Sequence, residues 1–167
     1  MHYLLAAIVF LAPHIGKPVA KNYARIIKTE AARKDIDPLL VVSFIHVETF
    51  RKWNPRTKST TNDYGLCQVH VAERGSARFL GREEELYIPK VNIREWTRLA
   101  AMWRNYHHTK EDPAEAQGHM WWAHLKWGYK VKNPGHAMKV TKLYTLLKKK
   151  FRPELENERV AQLEEVR

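Results

Sequence analysis

The chain opens on ten consecutive apolar residues, Tyr3 to Ala12. A bilayer crossing needs roughly 20, so this run is either the apolar stretch of an export signal or a first helix packed on the domain. No Lys or Arg precedes it, and Pro13 and Pro18 follow closely. From Asn22 the pattern turns helical: Tyr23, Ile26, Ile27, Glu30 and Ala31 recur at i, i+3, i+4 until Asp35. Asp37-Pro38 reads as a helix start, with Asp as cap and Pro at the first helical position. The segment it opens, LLVVSFIHVETF, is apolar almost all round and therefore belongs in the core. Lys52 to Asp63 is rich in Asn, Thr, Ser and Pro and reads as a loop.

Helical spacing returns over Val91 to Tyr106, with Ile93, Trp96, Leu99, Ala100 and Trp103 on one face. Glu111-Asp112-Pro113 starts a further short helix running into the aromatic stretch HMWWAHLKWGY, with Gly128 as its stop. A basic helix from Gly135 to Arg152 follows. It carries Val140, Leu143, Tyr144, Leu147 and Phe151 on one face and Lys139, Lys142, Lys148, Lys149 and Lys150 outside it. No repeat and no convincing strand alternation is present. The pattern predicts a mainly α chain with three parts: an N-terminal apolar segment over 1–21, one helical domain over 22–152, and an acidic helical or flexible tail over 153–167.

Charge narrows the partners. The 167 residues carry 29 Lys+Arg against 18 Asp+Glu, a net of +11. Residues 151–167 hold three Arg and five Glu, a net of −2, which leaves +13 on residues 1–150. Such a field suits a polyanion: nucleic acid, an anionic membrane surface or an acidic cell-wall polymer. The single cysteine, Cys67, excludes an internal disulfide framework and a Cys-based zinc cage.

Glu48 stands out chemically. It sits near the end of the apolar helix, among Leu, Val, Phe and Ile residues broken only by Ser43 and His46. A carboxyl in apolar surroundings loses hydration of its charged form, which favours the protonated state a general acid needs. A bland alternative is a solvent-facing Glu at a helix end with no role. Further along, Asp63-Tyr64-Gly65-Leu66-Cys67-Gln68-Val69 places a Gly before a short apolar segment holding one Gln.

Taken together, Asp37-Pro38, Glu48-Thr49, Gly65-Leu66-Cys67-Gln68 and Asn92-Ile93 resemble, in order and spacing, the pattern of the lytic transglycosylases of the soluble-lytic-transglycosylase, lysozyme-like superfamily. The resemblance covers roughly residues 22–150. No single motif is specific; four in the right order make the resemblance fairly strong. It implies a compact helical lysozyme-like domain with at most a small irregular β-like segment around Gly65–Gln68. It also implies a peptidoglycan-cleaving activity needing no metal or cofactor. Glu48 would be the sole catalytic acid and base, protonating the oxygen between N-acetylmuramic acid and N-acetylglucosamine. It would then take a proton from the muramoyl 6-hydroxyl, which closes a 1,6-anhydro ring. A nucleophile within the substrate is already positioned, and the acetamido group can assist, an exception to the two-carboxylate scheme.

Carried over position by position, the resemblance makes Ser59, Asp63, Tyr64, Gln68 and Asn92 substrate-binding. The expected partner is the peptidoglycan glycan strand, met by a monomer outside the cytoplasm, in the periplasm or envelope, with a bacterial or a phage-encoded origin both open. An anionic envelope surface is a second contact, and nucleic acid is not expected. Two departures stand out. Leu125-Lys126-Trp127-Gly128 replaces the family's Tyr-Asn-Ala-Gly, and His136 aligns with the Tyr of the next helix motif. The far wall of the cleft is then rebuilt, with Trp127 or Tyr129 as candidates.

Other readings fit the same residues. Asp63 before Tyr64-Gly65 matches the second carboxylate of animal c-type lysozymes, which would make the chain a hydrolase using Glu48 and Asp63; those enzymes depend on disulfides that one cysteine forbids. The basic helix over 135–152 could instead bind nucleic acid or a membrane surface. His107-His108, His119 and His124 lack the i, i+4 spacing with an adjacent Glu of a helical zinc site. Trp121, Trp122 and Trp127 read mostly as core, with one available to stack on sugar. Cys67, inside an apolar segment, reads as a buried inert thiol.

Overall fold

Asp37 and Pro38 start the helix around which the rest is arranged. In the computed structural model, Asp37 has an extended backbone and its side chain accepts a hydrogen bond from Leu39 N at 2.9 Å, while Pro38 occupies the first turn. The structure describes residues 2–73, 76–107, 121–127 and 135–164, with side chains described as far as 125 in the third stretch and 151 in the last. Six α-helices are described: α1 (His2–Leu11), α2 (Lys17–Ala32), α3 (Pro38–Glu48), α4 (Pro89–His107), α5 (His124–Trp127) and α6 (Gly135–Glu164). A two-stranded ribbon, β1 (Asp63–Tyr64) with β2 (Val69–His70), lies between α3 and α4.

Helix α3 is the centre of the core. Its residues from Leu39 to Ile45 are all buried, and α1, α2 and α6 pack around it. Ser43, the polar residue in that run, is satisfied within the helix by donating to Leu39 O at 2.8 Å, as a buried hydroxyl must be. Phe44 reaches across to Trp96 of α4, ring centroids 4.8 Å apart. On the other side Asp37 accepts a hydrogen bond from Tyr144 Oη of α6 at 2.7 Å. One carboxylate therefore caps α3 and ties its start to α6.

The apolar opening run is a packed helix. Tyr3, Leu4, Ala7 and Ile8 on α1 and Ala12 after it are buried in the same core as α2 and α3. Helix α2 begins earlier than its periodicity suggested, at Lys17. Gly16 adopts φ +77° and Pro18 sits in the first turn, the position where a missing N–H costs nothing. A surface-to-core network then pins α2 to α4: Arg94 donates to both Glu30 oxygens at 3.1 and 3.2 Å, and Arg33 adds a second guanidinium. Helix α6 starts at Gly135 as expected and continues through Pro153 to Glu164, beyond the expected limit at Arg152.

No helix among the described residues is long and apolar enough to cross a membrane. The chain is mainly α, with one short ribbon, as a compact lysozyme-like helical domain requires. The β-like segment expected around Gly65–Gln68 is the turn of the ribbon itself, with Asp63 opposite His70 and Tyr64 opposite Val69. The expected helix start at Glu111-Asp112-Pro113 and the stop at Gly128 lie outside the described residues.

Candidate active site

Glu48 is the last residue of α3 and is 7% exposed. Thr49 closes the helix: its N–H bonds Ile45 O at 3.0 Å, its hydroxyl donates to the same carbonyl at 2.8 Å, and it accepts from Trp53 N at 3.1 Å. The chain then leaves through three non-glycine residues in the left-handed region, Phe50 (φ +50°), Arg51 (φ +68°) and Trp53 (φ +55°). Such conformations cost energy and persist only where surroundings over-determine them. Here the buried Trp53 supplies that constraint, stacking on Tyr23 at 6.2 Å and donating from Nε1 to His46 Nδ1 at 3.2 Å. Trp53 thus fixes the exit loop that follows Glu48 in the chain, and Phe50 within it is left 81% exposed.

The turn Gly65–Gln68 carries the buried Cys67. Burial, and secondarily the negative charge of Glu48, push the Cys67 thiol well above its ordinary value, which places this turn within electrostatic reach of the carboxylate. Asn92 holds the turn from behind. It is fully buried, donating from Nδ2 to Tyr64 O at 2.8 Å and accepting at Oδ1 from Cys67 N at 2.8 Å. Gly65, at φ +77°, lies against that amide so closely that a Cβ would clash with it and with Leu86 O. Gln68, itself left-handed at φ +46°, donates from Nε2 to Gly65 O at 2.8 Å and Thr57 O at 3.1 Å.

Asp63 is the hub of the approach loop. Its Oδ2 accepts from Ser59 Oγ at 2.9 Å and Thr61 Oγ1 at 2.8 Å, and its Oδ1 lies 2.8 Å from His70 Nδ1. Ser59 in turn accepts from the backbone N–H groups of Thr61 and Asp63. Tyr64 is buried, with Lys58 Nζ 5.0 Å from its ring centre.

Ser59, Asp63, Tyr64, Gln68 and Asn92 thus belong to one hydrogen-bonded unit built on the ribbon and its turn. Within it, Asn92 is a bracket behind the turn: nothing of its side chain is exposed, and both ends of its amide serve backbone groups. The side chain of Trp127, and His108, His119 and Tyr129, lie outside the described residues. Trp122 is buried in the core cluster and Trp121 packs against it. Among the described residues no group of three or more His, Cys, Asp or Glu could hold a metal ion. A hollow of about 300 Å³ lined by Arg78, Arg82 and Arg94 lies elsewhere and contains none of these residues, and each of its arginines is paired with a glutamate.

One neighbour of Glu48 was not among the predicted site residues. His136, in the first turn of α6, brings Nε2 to 2.9 Å from Glu48 Oε1, its ring edge-on to Phe44 at 5.3 Å. The approach is close but out of line, and neither ring nitrogen makes a well-directed hydrogen bond. A sequence signal existed. His136 extends the stripe of Val140, Leu143, Leu147 and Phe151 back by one turn, so it shares the face that α6 packs on the core.

A buried carboxylate at the end of a core helix, and a glycine turn braced by Asn92 beside a short ribbon, are the chemical features of this region. Over 91 residues the chain is 36% identical to the membrane-bound lytic murein transglycosylase E of Buchnera aphidicola subsp. Acyrthosiphon pisum (strain APS). The match covers 50% of this chain and 40% of that protein, so the chain spans about two fifths of the length of the curated relative it matches. This likeness supports a relationship to lytic transglycosylases without singling out the soluble branch of them. No family model matches the chain. No solved structure matches it.

Proposed function

We propose that the chain is a peptidoglycan lytic transglycosylase that cleaves between N-acetylmuramic acid and N-acetylglucosamine, with Glu48 as its single acid and base. The observation that carries this reading is the burial of Glu48 at the end of α3, against a turn that Asn92 and Gly65 hold in place. Protonated Glu48 gives its proton to the glycosidic oxygen as the bond to the muramoyl anomeric carbon breaks. The N-acetylglucosamine side leaves with a new hydroxyl. The Glu48 carboxylate then takes the proton of the muramoyl 6-hydroxyl while that oxygen bonds to the anomeric carbon. The ring closes, the acid is regenerated, and no water, metal or cofactor enters the scheme.

A hydrolase using Asp63 as a second carboxylate is the competing chemistry. Both Asp63 oxygens are engaged within the loop, by Ser59, Thr61 and His70. That engagement suits an anchor better than a nucleophile. The basic surface suits a substrate rich in carboxylates, and such docking weakens with salt. The site of action would be the cell envelope.

The test is digestion of purified peptidoglycan with product analysis by mass spectrometry. The expected products carry 1,6-anhydromuramoyl ends, and Glu48→Gln forms none. Reducing muramic acid ends from the wild type would overturn the transglycosylase reading in favour of hydrolysis. A Glu48→Gln protein that still cleaves would remove Glu48 from its role.

A further inference from the structure

We propose that His136 is the positioning residue of Glu48, the two side chains sharing one proton across the contact between α6 and α3. The inference rests on the transglycosylase reading for its kinetic consequences, but its geometry is independent of that reading. Nε2 of His136 is 2.9 Å from Glu48 Oε1, and the imidazole is held edge-on by Phe44, one turn before the carboxylate on α3. Val140, one turn beyond His136 on α6, is fully buried, so this face of α6 is held in the core.

The chemistry asks for such a partner. Glu48 must release a proton and recover one within a single turnover, in a place largely closed to water. It also stands at the C-terminal end of α3, where the helix dipole disfavours negative charge. An imidazole in contact offsets the carboxylate left after the first transfer and still permits the second. The misaligned resting contact fits this role, since catalytic hydrogen bonds often tighten only when substrate is bound. One proton between the two groups serves both steps: Glu48 gives it to the glycosidic oxygen and takes one back from the muramoyl 6-hydroxyl.

Of the ionisable groups near this end of α3, Arg51, three residues beyond Glu48, is exposed and its charge bears on His46. On α3, Asp37 is bound to Tyr144 at the far end of the helix, and His46 is bound to Trp53. From the turn, the buried Cys67 thiol, on which the charge of Glu48 acts, is held neutral. On α6, Lys139 is exposed.

The experiment compares wild type, His136→Gln and His136→Tyr in pH-dependent peptidoglycan cleavage, with ring-proton NMR of His136 in wild type and Glu48→Gln. The wild type should give a bell-shaped profile. His136→Gln should lose the acid limb and drop kcat about tenfold to a hundredfold, the size of one charge-assisted hydrogen bond. KM should stay within about twofold, as expected when an interaction made only in the transition state is removed. His136→Tyr, which can donate to the same oxygen but holds no second proton, should recover most of kcat without the acid limb.

In the NMR arm, the His136 titration curve should be displaced when Glu48 becomes Gln. A superimposable curve, or His136→Gln keeping both limbs and kcat within about twofold, overturns the proposal. The two readings fail separately. Wild-type protein that cleaves nothing while the NMR curve is displaced sinks the transglycosylase reading and leaves the shared proton. Anhydro products with Glu48→Gln inactive and His136→Gln unchanged does the reverse.

Discussion

Replacing Gly65 with Ala tests the construction of the site at its tightest point. Gly65 has φ +77°, where a Cβ crowds the backbone, at a cost of about 1–2 kcal/mol for an L-residue. The added methyl would also meet Leu86 O and the Asn92 amide, with Asn92 Cγ only 2.8 Å away. Neither neighbour gives way cheaply. Leu86 O is backbone, and moving Asn92 breaks its bonds to Tyr64 O and Cys67 N. Overpacking of this kind adds about 1–3 kcal/mol, so Gly65→Ala should destabilise by about 2–5 kcal/mol in total. Urea unfolding followed by tryptophan fluorescence measures it. Asn92→Ala alone should cost a comparable amount, because it leaves a buried N–H and a buried carbonyl unpaired at about 1–3 kcal/mol each. In the double variant one of the two clashes disappears, so the costs should fall short of additivity by about 1–2 kcal/mol. A Gly65→Ala protein within about 0.5 kcal/mol of wild type, or strictly additive costs, would refute the braced turn.

Three further outcomes are expected. Burial alone raises Glu95, but hydrogen bonds from Arg98 and Ser76 and the charges of Arg98 and Arg78 outweigh it and hold the carboxyl below its ordinary value; Arg94 and Arg33 do the same for Glu30. Both groups are lowered in the folded state, so their stabilisation is present above the unfolded carboxylate range and is lost as pH falls through the folded values. Glu95→Gln should therefore be less stable than wild type at pH 7 in urea melts and should converge on it in acid; parallel curves would contradict this. Leu4→Ala and Ile8→Ala on α1, both fully buried, should each cost about 2–5 kcal/mol, and values like those of surface substitutions would mean that α1 is not core. Cys67, buried and with its thiol held neutral, should resist iodoacetamide in the native protein and react at the rate of local opening; fast native labelling would argue that the turn is open.

Much of the framework was legible because its signals are local. Asp37-Pro38 announced α3, the unbroken apolar run placed it in the core, and Glu48 falls at its end. The α4 pattern predicted from Val91 to Tyr106 is observed from Pro89 to His107, and the Gly135 start of α6 is where it was expected. The ribbon was not visible as strands, since two residues per strand are too few to show alternation. The left-handed exit at Phe50, Arg51 and Trp53 was hidden for another reason. None is Gly or Asn, so tertiary constraint from Trp53 overrides the local preference. Asn92 was legible as a site residue, but that its amide binds backbone on both sides of the turn was not, because pattern gives a residue type and not the direction its amide faces.

His136 illustrates what a one-dimensional reading lacks and how packing supplies it. Its helix crosses α3 with two polar clamps. Tyr144 binds Asp37 at the start of α3, and His136 meets Glu48 at its end. The eight residues from His136 to Tyr144 rise about 12 Å on a helix, while the eleven from Asp37 to Glu48 rise about 16 Å. The difference is of the size that the reach of a glutamate and a tyrosine can absorb. The helices must then run antiparallel, and the register of α6 is set by the buried Val140, Leu147 and Phe151 together with the Asp37 clamp. Under that register His136 falls against the end of α3. The contact with Glu48 is thus a consequence of apolar packing several turns away, and a site that reads as one carboxylate in the sequence becomes a carboxylate with an imidazole beside it.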